Sequence, residues 1–183
     1  MAERLNPLLV FGLLAAVGVY LMSRTKTGQD VVQAAIDTGT QAAETVASVF
    51  TGPRGIRNNN PGNIERSGVT WKGMAQDQSR DPRFIVFSAP EYGIRAMARV
   101  LKNYLAQGYD TVQEVINRWA PPIENDTGAY VRAVAARVGV SPTTPINASH
   151  LPMLIEAIIQ HENGQQPYSP DIIARGIQLE QTA

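Results

Sequence analysis

From Pro90 onward, apolar residues recur at intervals of three and four, the period of an α-helix. Behind Pro90, a residue suited to a first helical turn, Met97, Val100, Leu101 and Tyr104 share one face. Thr111 and Glu114 form a T-x-x-E capping box ahead of an apolar stripe of Val112, Val115, Ile116 and Trp119. Ala120-Pro121-Pro122 stops that helix. Asp126 or Thr127 caps the next one, which turns Tyr130, Val131, Val134 and Val138 inward. A helix from Ser149 runs to Glu162, and Ser169-Pro170 opens a last one carrying Ile173 and Ile177. Helices with one apolar stripe each must bury those stripes against one another, so this part of the chain is expected to be mainly α.

One stripe carries a charge. Leu151, Ile155, Ile158 and Glu162 are spaced by four, three and four, and at 100° per residue all fall within about 40° of one direction. Glu162 thus continues the core-facing side. Removal from water and the negative end of the helix dipole both oppose a bare charge there. Asn163-Gly164 ends the helix at once and opens space in front of the carboxyl. A carboxylic acid so placed suits general-acid work on a glycosidic oxygen. The plainer alternative is a helix-end Glu turned to solvent beside an ordinary Asn-Gly cap. His161 adjoins Glu162 but points about 100° away and is given no catalytic role.

The chain has 183 residues, room for one ordinary domain and an appendage. Lys+Arg and Asp+Glu are equal at 16 each, which leaves no electrostatic footprint for nucleic acid, and no nucleic-acid partner is expected. Without cysteine, disulfides, thiol nucleophiles and Cys-based metal sites are excluded. His150 and His161 alone do not build a metal site, so neither metal nor cofactor is expected.

Pro7 to Met22, PLLVFGLLAAVGVYLM, is 16 residues without a charge. At 1.5 Å per residue it spans roughly 25 Å, slightly less than a bilayer core of about 30 Å. It reads as a transmembrane anchor over 1–24 that contacts lipid through residues 6–22, with nearly balanced basic flanks that leave its orientation open. Residues 25–52 read as a helical stalk rich in small apolar residues, closed by Thr51-Gly52-Pro53. The remainder, 53–183, is expected to be one α+β domain. Its opening, RGIRNNNPGNI, is turn-rich. Val69–Gly73 and Arg83–Phe87 are strand candidates that would make a small β-hairpin lobe.

The run Asn59-Asn60-Pro61-Gly62-Asn63-Ile64, the strands Trp71-Lys72-Gly73 and Phe84-Ile85-Val86-Phe87, the segment Ala89-Pro90-Glu91 and the helix carrying Tyr130 resemble the lysozyme-like glucosaminidase and lytic transglycosylase superfamily. In that group the catalytic Glu ends a helix of the form A-x-x-E-S-G placed before the Asn-Asn turn. Here the similar helix, Ala157 to Gly164, stands at the C-terminus, which implies a circularly permuted lysozyme-like domain; neighbouring termini make permutation structurally cheap. More narrowly, RGIRNNNPGNI, Gly93–Ala96, Arg118–Thr127 and HENGQQPYS resemble a family of phage and prophage structural proteins that includes membrane-bound virion proteins with suspected peptidoglycan-degrading activity.

The resemblance implies cleavage of peptidoglycan glycan strands by a membrane-anchored, virion-associated enzyme used at infection, with other virion proteins as further partners. Its place would be single-pass in the virion membrane or in the host inner membrane facing the periplasm. Glu162 would protonate the leaving oxygen. A lytic transglycosylase needs no second carboxylate, whereas a hydrolase needs one or a positioned water, and Glu65, Asp77 and Asp81 are the candidates. Asn59, Asn60 and Asn63 are candidates to bind N-acetyl groups, with turn-making as their alternative; Tyr130 and Tyr168 are candidates to orient Glu162 or line the sugar groove. Trp71 and Trp119 are candidates to stack on sugars, although Trp119 closes an apolar stripe and fits the core better. The alternative function is a non-catalytic, membrane-anchored virion structural protein that uses the fold as scaffold or glycan binder.

Overall fold

Helix α2, Pro90–Ala106, is the element against which the others assemble, in a computed structural model that describes residues 52–121 and 126–181. It starts on Pro90 at its first position with Glu91 in its first turn, where an acid favours the positive end of the dipole. Ile94, Met97, Ala98 and Leu101 are fully buried along one side. A four-residue turn of helix, α1, Arg54–Arg57, precedes it. Helix α3, Val112–Trp119, opens on the expected capping box, with the Thr111 hydroxyl accepting from Glu114 N–H. Helix α4, Thr127–Val138, is capped by the Asp126 side chain. A 3-10 turn over Ala148–His150, capped by Asn147, leads into α5, Leu151–Asn163, and α6, Pro170–Gln181, closes the described chain.

Helix α5 is apolar on nearly every side. Leu151, Leu154, Ile155, Ala157, Ile158 and Ile159 are all buried. Each large aliphatic side chain withdrawn from water in this way contributes about 1.5–3 kcal/mol. Helices α4 and α5 pack together, α3 packs on α4, and the most extensive helix pairing is α2 with α6. Glu180 on α6 is buried; burial works to raise its pKa, but hydrogen bonds from Lys102 and Arg99 on α2 outweigh that and hold the carboxyl below its ordinary value.

The β-hairpin lobe does not form. Among the described residues there is no strand, only isolated bridges such as Glu65 to Phe84 and Met74 to Phe87, so the α+β expectation is corrected to helices joined by structured loops. The reason lies in where the backbone groups of 83–87 find partners. Ile85 N–H bonds the Ile64 carbonyl, and Phe87 N–H bonds that of Asn58. The Gln78 amide brackets Val86 from the other side, accepting from its N–H at 2.9 Å and donating to its carbonyl at 2.6 Å. Asn60 and Asn59 donate to the carbonyls of Ile85 and Phe87. Ala75 N–H and the Gln78 amide share the Val86 carbonyl, Ser88 N–H bonds that of Gly73, and with side-chain amides interposed the pairing stays at single bridges and no ladder propagates. Ile85 and Phe87 form a second small core with Ala96 of α2, against Trp71, Met74 and Tyr92.

The expectation of a single-pass membrane protein is also corrected. No helix among the described residues is long and apolar enough to cross a membrane. The 1–24 anchor and most of the 25–52 stalk, on which that expectation was placed, lie outside the described residues.

Asp81 pins this loop region. Both its oxygens accept from Arg54 at 2.6 Å, and Asn58 Nδ2 and the backbone N–H groups of Arg83 and Phe84 complete the shell. The Arg54 bond is the largest influence holding the Asp81 carboxyl well below the usual carboxylate range, against the opposing effect of burial. A depressed carboxylate contributes stability that is complete above its unfolded pKa of about 3.9 and is lost as pH falls further. Replacing Asp81 with Asn is expected to cost about 2 kcal/mol in denaturant unfolding at pH 7. The cost should shrink as the wild-type chain is taken below about pH 4; a pH-independent difference would contradict this assignment.

Candidate functional site

The buried stripe of α5 delivers Glu162 to the edge of an open cavity of about 650 Å³. It is lined by loop residues Ile64, Glu65, Arg83 and Phe84 and by Val100, Tyr104 and Trp119 from α2 and α3. Gly164, in the left-handed region at φ 69°, ends α5 where glycine costs nothing. The carboxylate at the helix's negative end is met by hydrogen-bond donors. Tyr130 of α4 donates its hydroxyl to Oε1 at 2.9 Å, and the Trp119 indole N–H of α3 donates to the same oxygen at 3.2 Å. Asn63 Nδ2, from the loop after α1, donates to Oε2 at 3.0 Å.

Tyr130 is kept a donor. Burial first, then the charge of Glu162 and the bond to it, push its pKa far above the ordinary phenol value. The exposed ring of His161 stacks on the buried ring of Tyr130, with centroids 3.6 Å apart and planes 14° from parallel. His161 therefore braces the Glu162 donor rather than touching the carboxylate itself.

The expected site residues divide. Asn63 and Tyr130 reach Glu162. Asn60 does not: it is fully buried, and its amide is used within the loop, accepting from Ile64 N–H and donating to the carbonyls of Ile64 and Ile85. Asn59 takes a left-handed turn at φ 51° and donates to the Phe87 carbonyl, which favours its turn-making role. The Tyr168 hydroxyl is buried without a hydrogen-bond partner, so it makes no bond to Glu162; burial, and then the charge of Glu91, raise its pKa. Asp81 is consumed by Arg54, and exposed Asp77 caps its own turn at Ser79 N–H. Of the three further carboxylates only Glu65 lines the cavity, where its Oε1 accepts from Arg83 at 2.5 and 2.8 Å.

Two members of the site have partners that the sequence did not give. Trp119 packs against the core, as expected, and also lines the cavity and bonds Glu162. Asn163, read only as a cap, is buried and donates to the carbonyls of Pro61 and Ile159, which ties the end of α5 to the Asn-Asn loop. Gly55 makes room for that junction: a Cβ there would stand 2.6 Å from Asn163 Oδ1 and 2.8 Å from Asn63 Oδ1.

If the Tyr130 hydroxyl serves mainly Glu162, Tyr130→Phe should cost about 2 kcal/mol of unfolding free energy. Most of that cost should vanish in a Glu162→Ala background, and equal costs in both backgrounds would contradict the pairing.

No protein-family model matches the chain. Kinship with the lysozyme-like superfamily accordingly stays a resemblance. The chain is 40% identical over 129 residues to Protein P5 of Pseudoalteromonas phage PM2, a match that covers 68% of this chain and 80% of that protein. At that identity and coverage, the chain belongs to the family of phage Protein P5.

Proposed function

We propose that the chain is a virion-associated phage protein whose cavity takes a peptidoglycan glycan strand, with Glu162 as the acid that breaks it. The observation that carries this reading is the setting of one carboxyl: at the end of a largely buried helix, bonded by three donors from three different segments, and lining an open cavity of about 650 Å³. A structural carboxylate is ordinarily matched by a cation, as Asp81 is by Arg54 and Glu180 by Lys102 and Arg99. Glu162 instead is met by neutral donors, the Tyr130 phenol, the Trp119 indole and the Asn63 amide, which hold the group in place at the cavity. Kinship with a phage protein supports association with other virion components.

In the reaction proposed, Glu162 gives its proton to the glycosidic oxygen as the bond to the muramyl C1 breaks. The muramyl C6 hydroxyl attacks C1, and its proton returns to Glu162, leaving a 1,6-anhydro end. Glu65 favours this course over hydrolysis, because the one other candidate carboxylate on the cavity is held by Arg83. Hydrolysis is the second reading, with Glu65 released from Arg83 to position water. Trp119 and Tyr104, which line the cavity, are the aromatic residues available to contact the sugars.

Purified peptidoglycan incubated with the full chain should release soluble muropeptides, and Glu162→Gln should reduce release by at least about 100-fold with folding intact. Products carrying the anhydro mass support the transglycosylase course, while reducing ends point to Glu65. No release from the folded wild-type chain would leave a structural or glycan-binding role in the virion.

A further inference from the structure

We infer that Asn63 is a positioning residue whose side-chain amide turns over with the proton of Glu162, so that one amide serves both forms of the acid. This rests on Glu162 being the acid of the proposed reaction. It arises from two buried oxygens that lack partners: Asn63 Oδ1 and Asn163 Oδ1. Both close on the same space beside Gly55, at 2.8 and 2.6 Å from where a Cβ would stand. Unpartnered buried acceptors are rare and costly.

The Asn163 amide is fixed, because its Nδ2 donates to two carbonyls, those of Pro61 and Ile159. The Asn63 amide is bonded only through its Nδ2, to Glu162 Oε2. Turning it by 180° exchanges Nδ2 with Oδ1. Nδ2 then points into the space shared with Asn163 Oδ1, and Oδ1 points at Glu162 Oε2. The second contact is favourable only if Oε2 carries a proton. Oε1 is not the place for that proton, since it already accepts from Tyr130 and from the Trp119 indole N–H, which has no acceptor form. In the protonated acid, then, Oε2–H donates to Asn63 Oδ1, Asn63 Nδ2 serves Asn163, and both unpartnered oxygens are satisfied. For transfer, Oε2–H breaks its bond to Asn63 Oδ1 and turns to the glycosidic oxygen; once the proton has passed, the amide turns back and donates to the new carboxylate. Asn63 sits at φ 48°, a backbone that asparagine tolerates and most residues do not.

The other titratable groups around Glu162 are Tyr130, His161 on the Tyr130 ring, Tyr104 with Arg118 over it, and Glu65 paired with Arg83. The test must therefore follow the Glu162 carboxyl itself. In the full chain, the carboxyl carbon of Glu162, the ring of His161 and the side-chain amide of Asn63 are followed by NMR across the pH range. The Asn63 amide signals should shift with the midpoint of the Glu162 carbon, not that of His161. In Glu162→Gln the new amide donates permanently where Oε2–H would, so the Asn63 signals should be pH-invariant and match the acid limit of the wild type. Asn63 signals that stay put while Glu162 titrates would overturn the inference, as would a Glu162→Gln spectrum matching the alkaline limit. Neither readout needs glycan cleavage, so an inactive chain and a fixed amide are told apart.

Discussion

The carboxylate of Glu162 is where the fold's separate parts meet. It stands on α5, yet its three donors come from the loop after α1, from the last turn of α3 and from the first turn of α4. None of those segments shares a helix with another, so the site exists only when the whole helical assembly is in register. The core of α5 supplies the driving force, because its buried isoleucines and leucines hold the helix at a fixed depth. The polar end is then positioned by what the apolar body dictates.

Around that carboxyl the chain separates two kinds of acid by their partners. Asp81 and Glu180 are met by guanidinium and ammonium groups and act as ties, the first within the loop region and the second between α2 and α6. Glu162 is met by a phenol, an indole and an amide. Neutral donors hold this half-buried carboxylate in place beside the negative end of a helix. This difference is what the proposed chemistry at Glu162 rests on, and in that proposal Glu65, bonded to Arg83 on the same cavity, separates the two reaction courses.

What could be read from the sequence is what depends on neighbours along the chain. The helices, the Thr111–Glu114 box and the inward face of Leu151, Ile155 and Ile158 follow from spacing, and the same spacing singled out Glu162. Partner choice across the chain did not follow. Asn63 lies 99 residues from Glu162 and Trp119 lies 43 away, so no periodicity links them. Trp119 closes an apolar stripe and does pack against the core, while its indole nitrogen needed a polar partner, and that need was the available signal for Glu162. The hairpin failed for a related reason: Val69–Gly73 and Arg83–Phe87 have strand composition, but Asn59, Asn60 and Gln78 spend their amides on the backbone the ladder would have used. Tyr168 shows the opposite error, a residue placed at the site by its neighbourhood in sequence whose hydroxyl reaches no partner.

The central claim is that the cavity beside Glu162 is a glycan site. The most direct measurement is a crystal structure of the Glu162→Gln chain with a soluble glycan fragment of alternating N-acetylglucosamine and N-acetylmuramic acid. The account predicts sugar rings in the cavity lined by Glu65, Phe84, Tyr104 and Trp119, with a glycosidic oxygen within hydrogen-bond reach of the residue 162 side chain. A fragment bound elsewhere, or an empty cavity at saturating glycan, would contradict it.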